Sequence, residues 1–226
     1  MQVIVLADGQ VGSRTALDAA WPGWLEPGAR VVAADGGARH AAPLGLAIDR
    51  WVGDGDSLGE AGIAELEAAG VPIERARPDK DESDTELAVV AARAMGATHL
   101  TVLGALGGPR VDHAVANLTL LSMPELDGLG MTLVAANARV RMLRAPGPGA
   151  AAVRLDLAGR VGDIVSLLPI GDDAEGVTTY GLRYPLGDEP LLAGRTRGLS
   201  NLRERSDATV ELRRGRLLVI ETPATL

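Results

Sequence analysis

Val31-Val32-Ala33-Ala34 runs straight into Asp35-Gly36-Gly37, and Arg50-Trp51-Val52 runs straight into Gly53-Asp54-Gly55-Asp56-Ser57. Neither apolar run alternates, so each reads as a strand buried on both faces that ends in an Asp/Gly turn. The same texture recurs at Val3–Leu6, Pro72–Arg75, Leu100–Leu103 and Met131–Ala135. Between these runs, residues 57–69, 83–95 and 111–122 carry helical spacing, with Leu87, Val90, Ala91 and Ala94 following the i, i+3, i+4, i+7 rule. The alternation predicts an α/β fold whose mainly parallel sheet is flanked by helices on both faces.

Beyond Arg144 the pattern changes. A Pro/Gly link, residues 145–150 (APGPGA), precedes short strand-like runs at 153–157, 164–169, 177–180, 208–212 and 217–220, separated by turn signals such as Gly171-Asp172-Asp173 and Arg214-Gly215. This predicts a small all-β sandwich. The expected division is an α/β domain over residues 1–143 and a sandwich over 150–226.

The chain has 226 residues, 46% of them hydrophobic and 23% charged, which fits one or two compact domains and excludes a disordered chain. It contains no cysteine, so disulfides, thiolate metal sites and a cysteine nucleophile are all excluded. No apolar run reaches the roughly 18 residues of a membrane helix, and the first residues lack a signal-peptide pattern, so the expected location is the cytoplasm. The net charge of −8 resides entirely in residues 1–143, which hold 19 acidic and 11 basic side chains. An acidic chain without a basic stripe is a poor binder of nucleic acid, whereas clustered carboxylates point to hard divalent cations.

Four Asp/Gly clusters stand where strands should end, the place where ligands bind in open parallel sheets. In the first, Gly36 and Gly37 beside Asp35 would let backbone N–H groups approach a phosphate or ribose, although a plain turn has the same composition. In the second, Asp54 and Asp56 are separated by one small residue and can converge on one Mg²⁺; Asp56 or Ser57 can also cap the next helix. The third is Asp79-Lys80-Asp81-Glu82-Ser83-Asp84-Thr85-Glu86. There Ser83 and Glu86 form a capping box, which accounts for part of the acidity but not for Asp81, Asp84 or Lys80, the chain's only lysine. The fourth, residues 104–113 (GALGGPRVDH), joins a strand to a helix start; its glycines and Arg110 make an anion site, and Asp112 adds a carboxylate. His113 is either a catalytic group or a local hydrogen-bonding partner. No Walker A sequence occurs, and Leu58 stands where the haloacid-dehalogenase phosphatase motif needs Thr or Val.

The ordered series Asp35-Gly36-Gly37, Gly53-Asp54-x-Asp56-Ser57, Lys80-Asp81-x-Ser83-Asp84-x-Glu86 and Gly107-Gly108-x-Arg110-x-Asp112-His113 resembles the thiamine pyrophosphokinase family. Gly181-Leu182-Arg183-Tyr184-Pro185-Leu186 and Arg197-Gly198-Leu199-Ser200-Asn201 extend the resemblance over nearly the whole chain. Ser83 departs from the Thr of many members but keeps the hydroxyl. The resemblance implies an ATP-binding α/β domain, a thiamine-binding β-sandwich, and a homodimer with active sites between subunits. Its reaction would be ATP + thiamine → AMP + thiamine diphosphate.

Residues and resemblance together give the expected roles. Asp54, Asp56, Asp84 and Asp112 are the expected Mg²⁺ ligands, and Asp56, Asp84, Arg110 and Asp112 the catalytic groups. Arg110 and Lys80 would neutralise phosphate, while Asp35, Gly36, Ser57 and Ser83 would contact nucleotide or thiamine. Ser200 and Asn201 would bind the aminopyrimidine ring, or else form a simple turn. The alternatives are a pyrophosphokinase for another heterocyclic alcohol such as a hydroxymethylpterin, and a non-catalytic sensor of nucleotide or thiamine diphosphate.

Overall fold

The computed structural model describes residues 1–147 and 150–224, so Pro148 and Gly149 of the expected link lie outside the described residues. The chain divides into two compact units, Met1–Ala136 and Asn137–Leu226.

The first unit runs β1 (Gln2–Leu6), α1 (Arg14–Ala20), β2 (Arg30–Ala34), α2 (Ala41–Leu44), β3 (Arg50–Gly53), α3 (Gly59–Ala68), β4 (Ile73–Arg75), α4 (Asp84–Ala94), β5 (His99–Leu103), α5 (Val111–Leu120) and β6 (Gly130–Ala135). Its strands pair in the order β6-β5-β1-β2-β3-β4, and every pair is parallel. The unalternating runs are the reason: Val3 to Leu6 are wholly buried, as a strand covered on both faces must be. On one face Ile4 and Leu6 pack with Leu17 of α1, Trp21 and Trp24. The indole N–H groups are placed as well as the rings, Trp21 donating to the Ala135 carbonyl at 2.7 Å and Trp24 to Asp18 at 2.8 Å. The α1 helix was not expected from the sequence. It starts at a Ser13 cap, whose hydroxyl accepts the Ala16 N–H at 3.2 Å.

This strand order turns back at β1, whose neighbours are β2 on one side and β5 on the other, so the topological switch point lies between β1 and β5. The loops after both strands meet there. Gly9 N–H donates to the Gly104 carbonyl at 3.0 Å, and a Cβ on Gly9 would lie 2.2 Å from that oxygen, so only glycine fits.

The second unit contains β7 (Ala138–Arg144), β8 (Val153–Asp156), β9 (Ile164–Pro169), β10 (Ala174–Tyr180), β11 (Glu189–Leu191), β12 (Asn201–Leu202), β13 (Thr209–Leu212) and β14 (Arg216–Thr222). One sheet has the order β12-β9-β14-β7 and the other β11-β10-β13-β8, with antiparallel pairing in both. Leu143, Val165, Leu167, Leu217 and Val219 of the first sheet pack with Val177, Val210 and Leu212 of the second, which is the core of a sandwich. The units divide at Ala136, earlier than the expected 144–150, because 138–144 is a strand paired with β14 over six residues.

That strand carries charge into the interior. Arg139 and Arg141 share a face of β7 with buried Leu143. Both reach Glu221 of β14, Arg139 at 2.8 Å and Arg141 at 2.7 Å, and Glu221 is 1% exposed. Burial alone would raise the Glu221 carboxyl, but the two guanidinium groups outweigh it and leave the carboxyl lowered.

Candidate active site

In the first unit, the carboxyl ends of β1, β2, β3 and β5 open into a cleft of about 660 Å³. Asp8, Asp35, Asp56, Lys80, Asp84 and Arg110 are among the residues that line it. The other three Asp/Gly clusters therefore meet the Lys80 segment, although Asp35 and Asp112 are 77 positions apart.

Asp35 ends β2 at φ 40, in the left-handed region that L side chains rarely adopt, and is 2% exposed. Its carboxylate accepts the Ser57 N–H at 3.0 Å and the Leu58 N–H at 3.1 Å, while Trp51 Nε1 donates to its carbonyl at 3.0 Å. Asp35 thus fixes the loop that presents Asp54 and Asp56. Burial pushes its carboxyl up against the pull of those two N–H bonds, and the neighbouring Asp56 and Asp84 push it further.

Oxygens of Asp35, Asp54 and Asp84 lie within 4.8 Å of one another. Lys80 joins two of them, its Nζ standing 2.6 Å from Asp54 Oδ2 and 3.1 Å from Asp84 Oδ1. The Lys80 hydrogen bond lowers the Asp54 carboxyl, aided by the Asp56 N–H. Asp84 stays raised because its burial outweighs the Lys80 contact, and the like charges of Asp54 and Asp56 add to this. Desolvation would lower Lys80, yet its bonds to Asp54 and Asp84 leave it raised, so the ammonium is fully protonated near neutrality.

Of the expected cation ligands, Asp54 and Asp84 are brought together and Asp35 joins them. Asp56 lines the cleft, but its Oδ1 accepts the Ser57 hydroxyl at 3.1 Å, and it is not part of the close trio. Asp112 stands apart from the trio. Both its oxygens are engaged by Arg110, at 2.9 Å from Nε and 2.6 Å from Nη2, and this bond holds the Asp112 carboxyl down at about 2. The pair is well exposed, so Arg110 is free to exchange that partner for a phosphate. Gly36 packs directly against a neighbouring ion pair. A Cβ there would sit 2.6 Å from both Asp8 and Arg39, so Gly36 makes room for the Asp8–Arg39 ion pair, itself 2.9 Å long. Ser83 caps α4, its hydroxyl accepting the Glu86 N–H at 3.1 Å, and also lines the cleft with Ser57 and His113.

Asp8 lines the cleft and Arg39 pairs with it, and neither was among the residues expected from the sequence. Asp8-Gly9 follows β1 as Asp35-Gly36 follows β2, and that parallel was the available signal. Arg39 ties Asp8 to the Ser57 carbonyl, which it reaches at 3.0 Å. Asn117, one of only three asparagines, is buried and donates to the Ala105 carbonyl at 3.1 Å, fixing the glycine-rich loop.

In the second unit the side chain of Asn201 is committed to the backbone. Its Oδ1 accepts the Tyr184 N–H at 3.0 Å and the Leu202 N–H at 2.9 Å, while Nδ2 donates to the Tyr184 carbonyl at 2.7 Å. These bonds give the Asn201 amide a role in holding the Tyr184 segment, and Tyr184 itself projects, 66% exposed. Ser200 is exposed, at φ 56, with its N–H donated to Ser166 Oγ at 3.0 Å. Asn201→Ala should cost about 1–3 kcal/mol in denaturant unfolding, because two Tyr184 backbone groups lose their partner. An unchanged unfolding free energy with weakened thiamine binding would return Asn201 to ring recognition.

Known proteins resemble this chain in sequence and in fold. Residues 25–133 match the family described as thiamin pyrophosphokinase, catalytic domain, and residues 152–217 match thiamin pyrophosphokinase, vitamin B1 binding domain. A thiamine pyrophosphokinase of Bacillus subtilis is 26% identical over 170 residues, covering 75% of this chain and 76% of that protein. Among solved structures, thiamine pyrophosphokinase from Bacillus subtilis superposes with a TM-score of 0.82 at 21% identity over 99% of each chain. The enzyme from Candida albicans gives 0.77 at 16% identity, over 98% of this chain and 88% of its own.

Proposed function

Since the chain belongs to the thiamin pyrophosphokinase family, we propose that it transfers the pyrophosphoryl group of ATP to the hydroxyl of thiamine, with Mg²⁺ as cofactor. The observation that carries this reading is the trio Asp35, Asp54 and Asp84 with Lys80 among them, at the carboxyl ends of β2 and β3 in a parallel sheet.

The donor set fits a hard divalent cation. It consists of carboxylate oxygens alone, and Asp84 Oδ1 is buried without a hydrogen bond, touching only the Lys80 ammonium. Asp54 and Asp84 would hold Mg²⁺, directly or through water, with Asp35 behind them; when bound, the ion neutralises charge on the polyphosphate. Arg110 binds phosphate oxygens through its planar fork. The glycine-rich loop and the start of α5 orient the triphosphate so that the thiamine hydroxyl oxygen attacks the β-phosphorus in line. The new O–P bond forms as the bond to AMP breaks, AMP leaves with the bond's electron pair, and Asp56 stands at the cleft to take the hydroxyl proton. Positioning and charge neutralisation supply most of the rate.

Ser200 and the Tyr184 segment are the proposed thiamine contacts of the second unit. A homodimer belongs to the same reading, supported by Val111 and Val115, which leave an apolar stripe of α5 exposed beside the cleft. No helix among the described residues is long and apolar enough to cross a membrane. A cytoplasmic location is proposed from the cysteine-free composition.

The test is AMP release from ATP and Mg²⁺, with and without thiamine, with products identified by mass. Thiamine-dependent AMP together with thiamine diphosphate is the expected result. Silence with thiamine but turnover with a hydroxymethylpterin would transfer the reading to that alcohol, and tight ligand binding without any turnover would make the protein a sensor.

A further inference from the structure

Lys80 occupies an unusual position for a group whose expected task is to meet phosphate. It is the only lysine in the chain and its side chain is 12% exposed. Its ammonium touches Asp54 Oδ2 and Asp84 Oδ1, on two of the three carboxylates that the proposed Mg²⁺ needs. A divalent cation that used these oxygens would compete with the ammonium for them.

The residue type matters. Three carboxylates within 4.8 Å of one another repel, and a positive charge among them offsets this cost. The other 21 of the 22 Lys and Arg side chains are arginines, whose flat fork engages one carboxylate through two donors, as Arg110 does with Asp112. An ammonium on a four-carbon stem is a compact charge that can fill an ion's position and swing away. Asp84 Oδ1 lies 3.1 Å from the Lys80 ammonium and is buried with no geometrically aligned hydrogen bond, so its lone pairs are incompletely satisfied while Lys80 is its neighbour.

We infer that Lys80 is the site's resident counter-ion: its ammonium holds the Asp54/Asp84 position until the divalent cation displaces it, and it then turns to the polyphosphate. This rests on the reading of the trio as the cation site. It makes cation binding by the protein alone weak, because the carboxylates must first be released from Lys80, and couples tight binding to the arrival of a polyphosphate that accepts the ammonium.

The test is calorimetric titration of Mg²⁺ into the nucleotide-free protein, as wild type, Lys80→Met, Lys80→Gln and Asp54→Asn, with melting temperatures taken at each Mg²⁺ concentration. Both Lys80 variants should bind Mg²⁺ about tenfold or more tightly than wild type. Their melting temperatures should start lower and rise more steeply with Mg²⁺. The glutamine variant keeps a donor for Asp54, so a soluble protein remains if the methionine variant does not fold. Unchanged or weaker binding in both Lys80 variants, with binding lost in Asp54→Asn, would overturn the counter-ion role and leave the cation site standing. Binding that survives Asp54→Asn undiminished, or that is absent from all four proteins, would overturn the site and Lys80's role with it.

Discussion

Asp84→Asn is expected to lower thiamine-dependent AMP release by about 10²–10³-fold while the melting temperature stays level or rises. The two halves of this result have one cause. Burial and the like charges of Asp54 and Asp56 raise the Asp84 carboxyl, so its ionised form is a burden on the fold. A group whose folded value is raised favours the fold at pH below its unfolded value, and that benefit is lost as pH rises through the folded value. Near neutrality Asp84 is on the unfavourable side, and an uncharged isostere removes the burden. Steady-state assays at limiting Mg²⁺ with parallel thermal melts separate the two effects. Wild-type turnover in the variant would remove Asp84 from the site, and a large fall in melting temperature would show a structural role instead.

The largest stability effect is expected at Glu221. Glu221→Ala leaves Arg139 and Arg141 facing each other in the sandwich interior without their carboxylate, at a cost of about 3–5 kcal/mol. Chemical denaturation reads this directly, and a change below about 1 kcal/mol would show that water or other groups replace the carboxylate. The pH dependence has the opposite sign to that of Asp84. The Glu221 carboxyl is lowered on folding, so its contribution is complete above the ordinary glutamate value of about 4.3 and is lost as pH falls through the lower folded value. Wild type should therefore lose stability on acidification through this range, and Glu221→Gln should lose less.

The parallel sheet was legible because its strands are buried on both faces, which writes continuous apolar runs such as residues 3–6 and 31–34 into the chain. Strand β7 was not, for a physical reason. Alternation normally marks the wet face by its charges, but Arg139 and Arg141 point inward to Glu221, a partner 80 or more positions away. The same limit applies at the site. Asp54 was readable from a Gly-Asp-Gly-Asp turn at a strand end and Asp84 from acidity that the capping box does not explain, whereas the capture of Asp112 by Arg110 depends on rotamers two residues apart. Gly36 was noticed for the right reason, a close approach, but what approaches it is the Asp8–Arg39 pair. Asn201 was expected either to bind the ring or to lie in a turn, and its bonds to the Tyr184 backbone are contacts that sequence spacing does not reveal.

The strand order has a consequence for how the chain is made. Strand β1 lies in the middle of its sheet, paired with β2 on one side and β5 on the other, and the β5 partners of residues 2–6 are residues 99–103. On the ribosome, β2 follows β1 closely, but the second edge of Val3-Ile4-Val5-Leu6 must wait for nearly a hundred further residues. At about 5–20 residues per second that interval is about 5–20 s. Through it an apolar strand exposes open hydrogen-bonding groups, the template on which nascent chains stick to one another. Yield during rapid overproduction should thus be governed by how well β1 is shielded before β5 emerges, and slower synthesis or a holding chaperone should raise it without any change in the finished fold.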